Sequence, residues 1–149
     1  MNDIKPINYH ISLTPDLKTF TFSGKCTIHF SSHTQTGKIL LNALDLTILT
    51  CTVQPEIKEG KEPLICNWEI DKKKEELIIH LPHPCQGDFR ITITYTGEIN
   101  NKMAGFYRSS YKVNGETHYI GVTQFEESDA RRAFPSVDHP LYKAQFTIE

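Results

Sequence analysis

The sequence lacks several features that would assign it to a large class of proteins at once. No apolar run approaches the roughly 18 residues that a membrane-crossing helix requires, and the opening MNDIKPINYH has neither region of a secretion signal. The formal net charge is only -2, with acidic and basic residues mixed along the chain, so no long-range field attracts nucleic acid or an anionic membrane. We therefore expect neither nucleic acid nor a membrane among the partners.

The cysteines are few and form no recognisable site pattern. They are widely spaced, without the C-x-x-C pairs that are typical of zinc or redox sites, and they lie at Cys26, Cys51, Cys66 and Cys85. We interpret them as reduced, packed side chains. The chain also has no Asn-x-Ser/Thr acceptor for glycosylation. Both features favour a cytoplasmic protein over a secreted one.

Local patterns give equally little support for a metal site or a catalytic centre. His29 and His33 would share one face of a helix, but the residues around them alternate as in a strand, where four residues span about 13 Å, too far for one zinc ion. His80 and His83 lie beside prolines, without an acidic or thiol ligand at a recognisable spacing. The chain has no H-E-x-x-H, G-x-S-x-G, P-loop or G-x-G-x-x-G motif. We predict no metal, no cofactor and no catalytic residue in this chain.

The sequence does contain sustained alternation of apolar and polar residues. Every second residue from Phe20 to Phe30 is apolar or glycine, and the same period runs from Phe89 to Tyr95. Further short aliphatic or β-branched segments are bounded by glycine, proline or charge, namely KILLNALDLTILTCTVQ, LICNWEID, EELIIHLP, HYIGVTQF and KAQFTIE. About seven or more short strands, without a long helical period, predict an all-β fold, an antiparallel curved sandwich or saddle.

Two charged runs and the chain end complete this organisation. KEGKEP, from Lys58 to Pro63, and DKKKEE, from Asp71 to Glu76, are interpreted as solvated hairpin tips whose charges need no function. A length of 149 residues fits a single domain, 1–149. Because KAQFTIE stops in the middle of an alternating pattern, we expect a piece of a longer protein, truncated at its last strands.

The segment TQFEESDARRAFPSVDHP, Thr123 to Pro140, differs from the rest because it is crowded with charge and broken by two prolines. Ser128 is expected to cap a short helix that Pro135 ends, with Asp129 stabilised at the positive end of that helix.

The charged and polar side chains of this segment suggest two roles. Arg131 and Arg132 are expected to form a structural clasp with acidic partners. Gln124 and Glu126 have i and i+2 spacing at a strand end, which points both side chains to one side. An amide and a carboxylate presented together suit a substrate with an ammonium group; the alternative is a pair of edge residues satisfied by loop backbone. The candidate partners in the clasp are Glu126, Glu127, Asp129 and Asp138.

These residues resemble a known family. The order GFYRSSY, TQFEESDARRAFPSVDHP and YKAQFTIE is similar to the N-terminal domain of the M1, gluzincin-type zinc aminopeptidases, particularly their puromycin-sensitive and tricorn-factor-like cytosolic branch. PINYHISLTPDLKTFTFSGK and FRITITYTGEINNKMAGFYRS resemble the family's preceding strands, so the resemblance covers essentially the whole chain. It implies a β-saddle that packs against a thermolysin-like catalytic domain of the same protein.

The resemblance also implies recognition rather than catalysis. The family residue matching Gln124 lines the pocket for the substrate's first side chain, and the one matching Glu126 holds the free N-terminal amine of a peptide near zinc. The zinc belongs to the catalytic domain, whose H-E-x-x-H helix is not in this chain, so we expect the chain alone to be inactive. Ser136 and His139 stand where the family usually has Cys and Glu, neither of them catalytic.

Two other classes of function remain as alternatives. One is a free-standing β-sandwich module that binds peptide or carbohydrate without catalysis. The other is a scaffold that dimerises through the unfinished edge at KAQFTIE.

Overall fold

The computed structural model describes residues 3–55 and 61–149. Strands dominate these residues, and the only helical element among them is a 3₁₀-helix at Ala130–Arg132. No helix in the described part of the chain is long and apolar enough to cross a bilayer. The prediction of an all-β fold is confirmed. The strands are β1 (Ile4–Asp16), β2 (Thr21–Asn42), β3 (Leu46–Gln54), β4 (Leu64–Ile65), β5 (Asn67–Asp71), β6 (Glu76–Glu98), β7 (Gly105–Val113), β8 (Glu116–Gln124) and β9 (Gln145–Ile148).

Seven of the strands form one open sheet, in the order β4-β3-β6-β2-β1-β9, with β5 also paired to β6. The pairs are antiparallel except for β1 and β9, which run parallel. Alternation in the sequence cannot reveal that exception, because side chains alternate with a period of two in both kinds of sheet. The strands β7 and β8 pair with each other as a separate two-stranded ribbon.

The two longest strands, β2 and β6, were expected from the sequence as several short ones. They pair from Thr21 with Glu98 to Asn42 with Glu76, with register shifts around Thr36. Buried positions in β2 are even-numbered up to Ser32 and odd-numbered in the part after the shifts, because an irregular step exchanges the two faces of a strand. The long strands therefore continue through an irregular step instead of ending there.

The core consists of the side chains that alternation assigned to the inner face. Phe22, Cys26, Ile28 and Phe30 on β2 are buried, and they are joined on β6 by Phe89, Ile91, Ile93 and Tyr95. Phe20 is an exception to the predicted pattern, because it lies in the turn before β2 with a φ of 56°. All four cysteines are free and buried.

The predictions for the two charged runs have different outcomes. Residues 72–75 form the turn between β5 and β6, as expected. The interpretation that the charges there have no role is wrong for Glu75, whose carboxylate accepts a hydrogen bond from Arg131 at 2.9 Å. In the other run, Lys58 to Gly60 lie outside the described residues.

Candidate functional site

The β7–β8 ribbon carries the first candidate residue at its base. Gln124 ends β8 and pairs with Gly105, the first residue of β7, while Val113 pairs with Glu116 at the far end. Side chains from Ser109 onward on β7 are exposed, and those of β8 are exposed or half-buried. Gln124 therefore lies at the end of the ribbon that meets the sheet, away from its tip.

Aromatic contacts hold that base against the sheet. Phe106 of β7 stacks on Phe22 of β2, with ring centroids 5.2 Å apart. The guanidinium carbon of Arg108 lies 4.2 Å from the centroid of the Phe20 ring, and Phe20 also packs edge-on against Tyr119 of β8 at 4.8 Å. Because an isolated two-stranded hairpin is marginally stable in water, these contacts contribute to orienting the ribbon.

The second candidate residue lies in the turn that follows the ribbon. Residues 126–129 form this turn, and the peptide bond between Glu126 and Glu127 is cis. The backbone N–H of Asp129 donates to the carbonyl of Phe125 at 2.9 Å and closes it. Both Gln124 and Glu126 are exposed. Because Glu126 lies in this turn and not on the strand, the i and i+2 spacing of an extended backbone does not apply to it.

A cavity of about 410 Å³ lies beside this turn. Glu126 and Glu127 line it together with Asp138, and Gln124 is not among its lining residues. Its aromatic walls come from Tyr9, Phe134, Tyr142 and Phe146. Carboxylates around an aromatic surface suit a cationic group, which gains from both the charges and the ring faces.

Tyr9 contributes a neutral hydroxyl to the cavity wall. Its oxygen accepts a hydrogen bond from the backbone N–H of Val137 at 3.0 Å. Burial raises the pKa of Tyr9 to about 12. The phenol therefore stays protonated at neutral pH and adds no charge to the cavity.

The short helix expected after the turn is a single 3₁₀ turn, Ala130–Arg132. Asp129 occupies its N-cap position without a side-chain capping bond, so the prediction that Ser128 caps it is wrong. The Asp129 carboxylate is engaged elsewhere, since it accepts a hydrogen bond from Nε of Arg132 at 2.9 Å. Pro135 follows shortly after the helix and cannot continue it.

Arg131 lies at the centre of one half of the clasp. Its Nε is 3.0 Å from Oδ2 of Asp138, and its Nη1 is 2.9 Å from Oε2 of Glu75. The Arg131 side chain is 12% exposed and that of Asp138 15%. Pairs removed from water in this way are screened less by salt than surface pairs. The backbone N–H of Leu44 also donates to the Arg131 carbonyl at 3.0 Å, which fixes the segment to the sheet.

Arg132 forms the other half of the clasp. It binds Asp129 in its own turn and, through Nη1, Asp45 at 2.7 Å in the connection before β3. Two of the partners proposed from the sequence, Asp129 and Asp138, thus bind an arginine. Among the described residues no ion pair joins the other two, Glu126 and Glu127, to either arginine.

The described residues contain no group of three or more His, Cys, Asp or Glu side chains that could hold a metal ion. Several histidines instead lie near one carboxylate each. The shortest of these contacts joins Nε2 of His29 to Oδ1 of Asp88 at 3.0 Å, between neighbouring strands.

Comparison with known proteins identifies the family of the chain. The family model described as the Peptidase M1 N-terminal domain matches residues 5–149. The chain belongs to this family. The predicted resemblance to the M1 aminopeptidases is thereby confirmed.

Individual relatives support the assignment to the M1 family. Aminopeptidase 2 of Candida albicans is 36% identical over 146 residues, which cover 98% of this chain and 15% of the relative. Aminopeptidase M1 of Arabidopsis thaliana is 36% identical over 148 residues, covering 96% of this chain and 16% of the relative. Thyrotropin-releasing hormone-degrading ectoenzyme of Rattus norvegicus is 33% identical over 147 residues, covering 97% and 14%. This M1 N-terminal domain therefore spans about a sixth or less of the length of these relatives.

Proposed function

We propose that this M1 N-terminal domain is the substrate-capping part of a zinc aminopeptidase that removes N-terminal residues from peptides. Its partners are then the N-terminus of the peptide and the catalytic domain of the same protein. One observation carries the proposal: the exposed Glu126 lies directly after the anchored base of the ribbon, where it also lines the cavity. That two of the named relatives are aminopeptidases supports the choice of reaction.

The chemistry of Glu126 fits the recognition of a free amino terminus. A carboxylate forms a charge-assisted hydrogen bond with an ammonium group. An internal peptide bond or an acylated terminus has no such charge and would leave the carboxylate unpaired, so the same residue also selects against them. Gln124, at the base of the ribbon, offers one acceptor and two donor hydrogens without charge, which suits contact with the first side chain of the substrate.

The clasp contributes to the proposed function by holding the turn in place. Arg131 and Arg132 connect it to Glu75 and Asp45, which lie in connections between strands of the sheet. Recognition residues need support from packed neighbours to keep their geometry. We assign the two arginines of the clasp a positioning role, with no contact to substrate.

The zinc ion is assigned to the catalytic domain of the longer protein. The described residues of this chain offer no group that fits the ion. When bound in its own domain, zinc polarises the scissile carbonyl and activates water. The residues of this chain bind and orient the peptide, so the chain by itself is expected to be inactive. We also propose a cytoplasmic location, on the basis of four free cysteines and no glycosylation acceptor.

The proposal is tested in the longer protein by replacing Glu126 with alanine. Loss of a charge-assisted contact to the substrate is expected to lower kcat/KM at least about tenfold, mainly through KM. Glu116→Ala, an exposed glutamate at the ribbon tip, is the matched control and should stay within about twofold of the parent. An unchanged kcat/KM of Glu126→Ala on several aminoacyl substrates would refute the amine-anchor role.

The isolated 149-residue chain gives a second test. We expect it not to hydrolyse an aminoacyl-coumarin. Hydrolysis by the purified chain that a zinc chelator blocks would show that catalysis does not require the further domain.

A further inference from the structure

The base of the ribbon touches the clasp at a glycine. Gly105 pairs with Gln124 and has a φ of 71°, a backbone conformation that residues with a side chain rarely adopt. A Cβ atom at this position would lie 2.6 Å from Cβ of Arg132 and 3.2 Å from the carbonyl oxygen of Asp129. The contact is therefore too close for any residue other than glycine without movement of the ribbon or the clasp.

Arg132 is linked to each of the two candidate residues, Gln124 and Glu126, through one intermediate residue. On one side its stem packs on Gly105, whose strand partner is Gln124. On the other side it binds the carboxylate of Asp129. The backbone N–H of the same residue closes the turn that contains Glu126. A third contact, the ion pair with Asp45, fixes the same guanidinium to the connection before β3.

We infer that Gly105 and Arg132 form a joint that sets where Gln124 and Glu126 lie relative to the sheet. They are positioning residues for substrate recognition, and this role rests on the proposed function. The joint links the two candidates, although one lies on the ribbon and the other in the following turn. A change at the joint should move both together, whereas a change at the ribbon tip should move neither.

The chain contains a matched control for the joint. Gly115, at the far end of the ribbon, has a φ of 81°, and no atom would lie within 4 Å of a Cβ placed there. Gly105→Ala and Gly115→Ala therefore introduce the same backbone strain. Only the first also drives a methyl group against Arg132.

The first experiment measures amide hydrogen exchange in the 149-residue chain by NMR. In Gly105→Ala, amides at residues 105–108 and 122–129 should exchange at least about tenfold faster, because the local opening free energy at the base falls. In Gly115→Ala, the increase should be confined to residues 113–118. Equal exchange at the base in the two variants would overturn the joint.

A second variant keeps the test decisive if Gly105→Ala does not fold. Arg132→Lys keeps the stem and the charge but loses the planar fork that binds two carboxylates at once. Faster exchange of residues 126–129 is expected in this variant, and unchanged exchange there would contradict the role of Arg132.

The second experiment measures a property that a purely structural defect would not change. In the longer protein, Gly105→Ala should raise KM more than it lowers kcat. It should also change the ratio of kcat/KM between an alanyl and a leucyl substrate at least about fivefold. Gly115→Ala should keep that ratio within about twofold. Equal ratios in both variants would overturn the inference.

The two proposals can fail separately. If Glu126→Ala lowers kcat/KM while Gly105→Ala leaves the substrate ratio unchanged, only the joint is wrong. If Glu126→Ala has no effect, the proposed function is wrong, and the exchange experiment still decides whether the joint orders the base.

Discussion

Asn42 and Ser136 exchange two backbone hydrogen bonds, with N–O distances of 2.7 and 3.1 Å. These two hydrogen bonds attach the segment after the arginines of the clasp to the end of β2. Ser136 is only 4% exposed, yet its hydroxyl has no hydrogen-bond partner within the described structure. A buried hydroxyl without a partner loses its hydration and gains nothing in return. At Ser136 the backbone N–H and carbonyl groups are both hydrogen-bonded, whereas the side-chain hydroxyl is not.

Replacing Ser136 with cysteine should therefore stabilise the chain. A thiol behaves as a small apolar group with little need for a partner, so we expect a gain of about 1 kcal/mol in the free energy of unfolding. Urea denaturation measures this gain, and Ser136→Ala should show part of it. Ser128→Ala, at an exposed position, is the control and should change little. A clear loss of stability in both Ser136 variants would show that the hydroxyl is satisfied.

Breaking the Arg131 half of the clasp should have the opposite effect. Arg131→Met keeps the apolar stem but leaves the carboxylate of Asp138, 15% exposed, without its cation. We expect a loss of about 2 kcal/mol, less than for a fully buried pair because Glu75 is 37% exposed.

The control for this variant is Lys25→Met, which removes an exposed cation from β2. It should cost less than about 0.5 kcal/mol. The loss in Arg131→Met should persist in about 1 M salt, because a pair shielded from water is weakly screened. A loss that disappears in salt would identify the Arg131 contacts as ordinary surface pairs.

The buried face of the sheet could be predicted from the sequence because the signal for it is local. Burial on one face imposes a period of two, and this period is visible directly from Phe22 to Phe30 and from Phe89 to Tyr95. The ends of the strands were harder to predict from the sequence, because Pro82 and Pro84 suggest strand ends but lie within β6. There the ladder with β2 resumes after an irregular step, and a proline is tolerated where no ladder hydrogen bond is required.

The site could be predicted only where its contacts are local. Asp129 and Asp138 lie within one segment with the arginines, so their pairing is suggested by composition. Asp45 and Glu75 are 87 and 56 residues away from their arginines, and no spacing rule connects them. The contact of Gly105 with Arg132 also joins residues that are not neighbours in sequence. This contact depends on how the ribbon lies against the clasp. A glycine at the start of a strand does not indicate that arrangement.

The buried thiols should be unreactive in the folded chain. Burial raises the pKa of Cys51 to about 12 and that of Cys66 to about 11, and it raises the pKa of Cys26 further still. Only the thiolate attacks a disulfide reagent, so a chromogenic disulfide at pH 8 should label the native chain at least about 100-fold more slowly than the chain unfolded in guanidinium. Rapid labelling of even one thiol in the native chain would contradict the packed interpretation.

The same shifts predict how stability depends on alkaline pH. The folded-state pKa values of Cys51 and Cys66 lie above the value of 9.0 for a free thiol. The folded chain therefore keeps these protons at a pH where the unfolded chain releases them. Their contribution to stability is complete below about pH 9 and is lost as the pH rises through the folded values. Between those limits each thiol should lower the free energy of unfolding by up to about 1.4 kcal/mol per pH unit.

Urea denaturation of the chain at pH 8, 9, 10 and 10.5 measures this decline. The control is the double variant Cys51→Ala and Cys66→Ala, which is less stable at pH 8 because two packed side chains are shortened. Its stability should nevertheless fall less steeply above about pH 9, since two of the groups that take up protons on folding are gone. Parallel declines in the two proteins would mean that Cys51 and Cys66 do not cause the alkaline loss, and the other buried thiols and tyrosines would then be the groups to test.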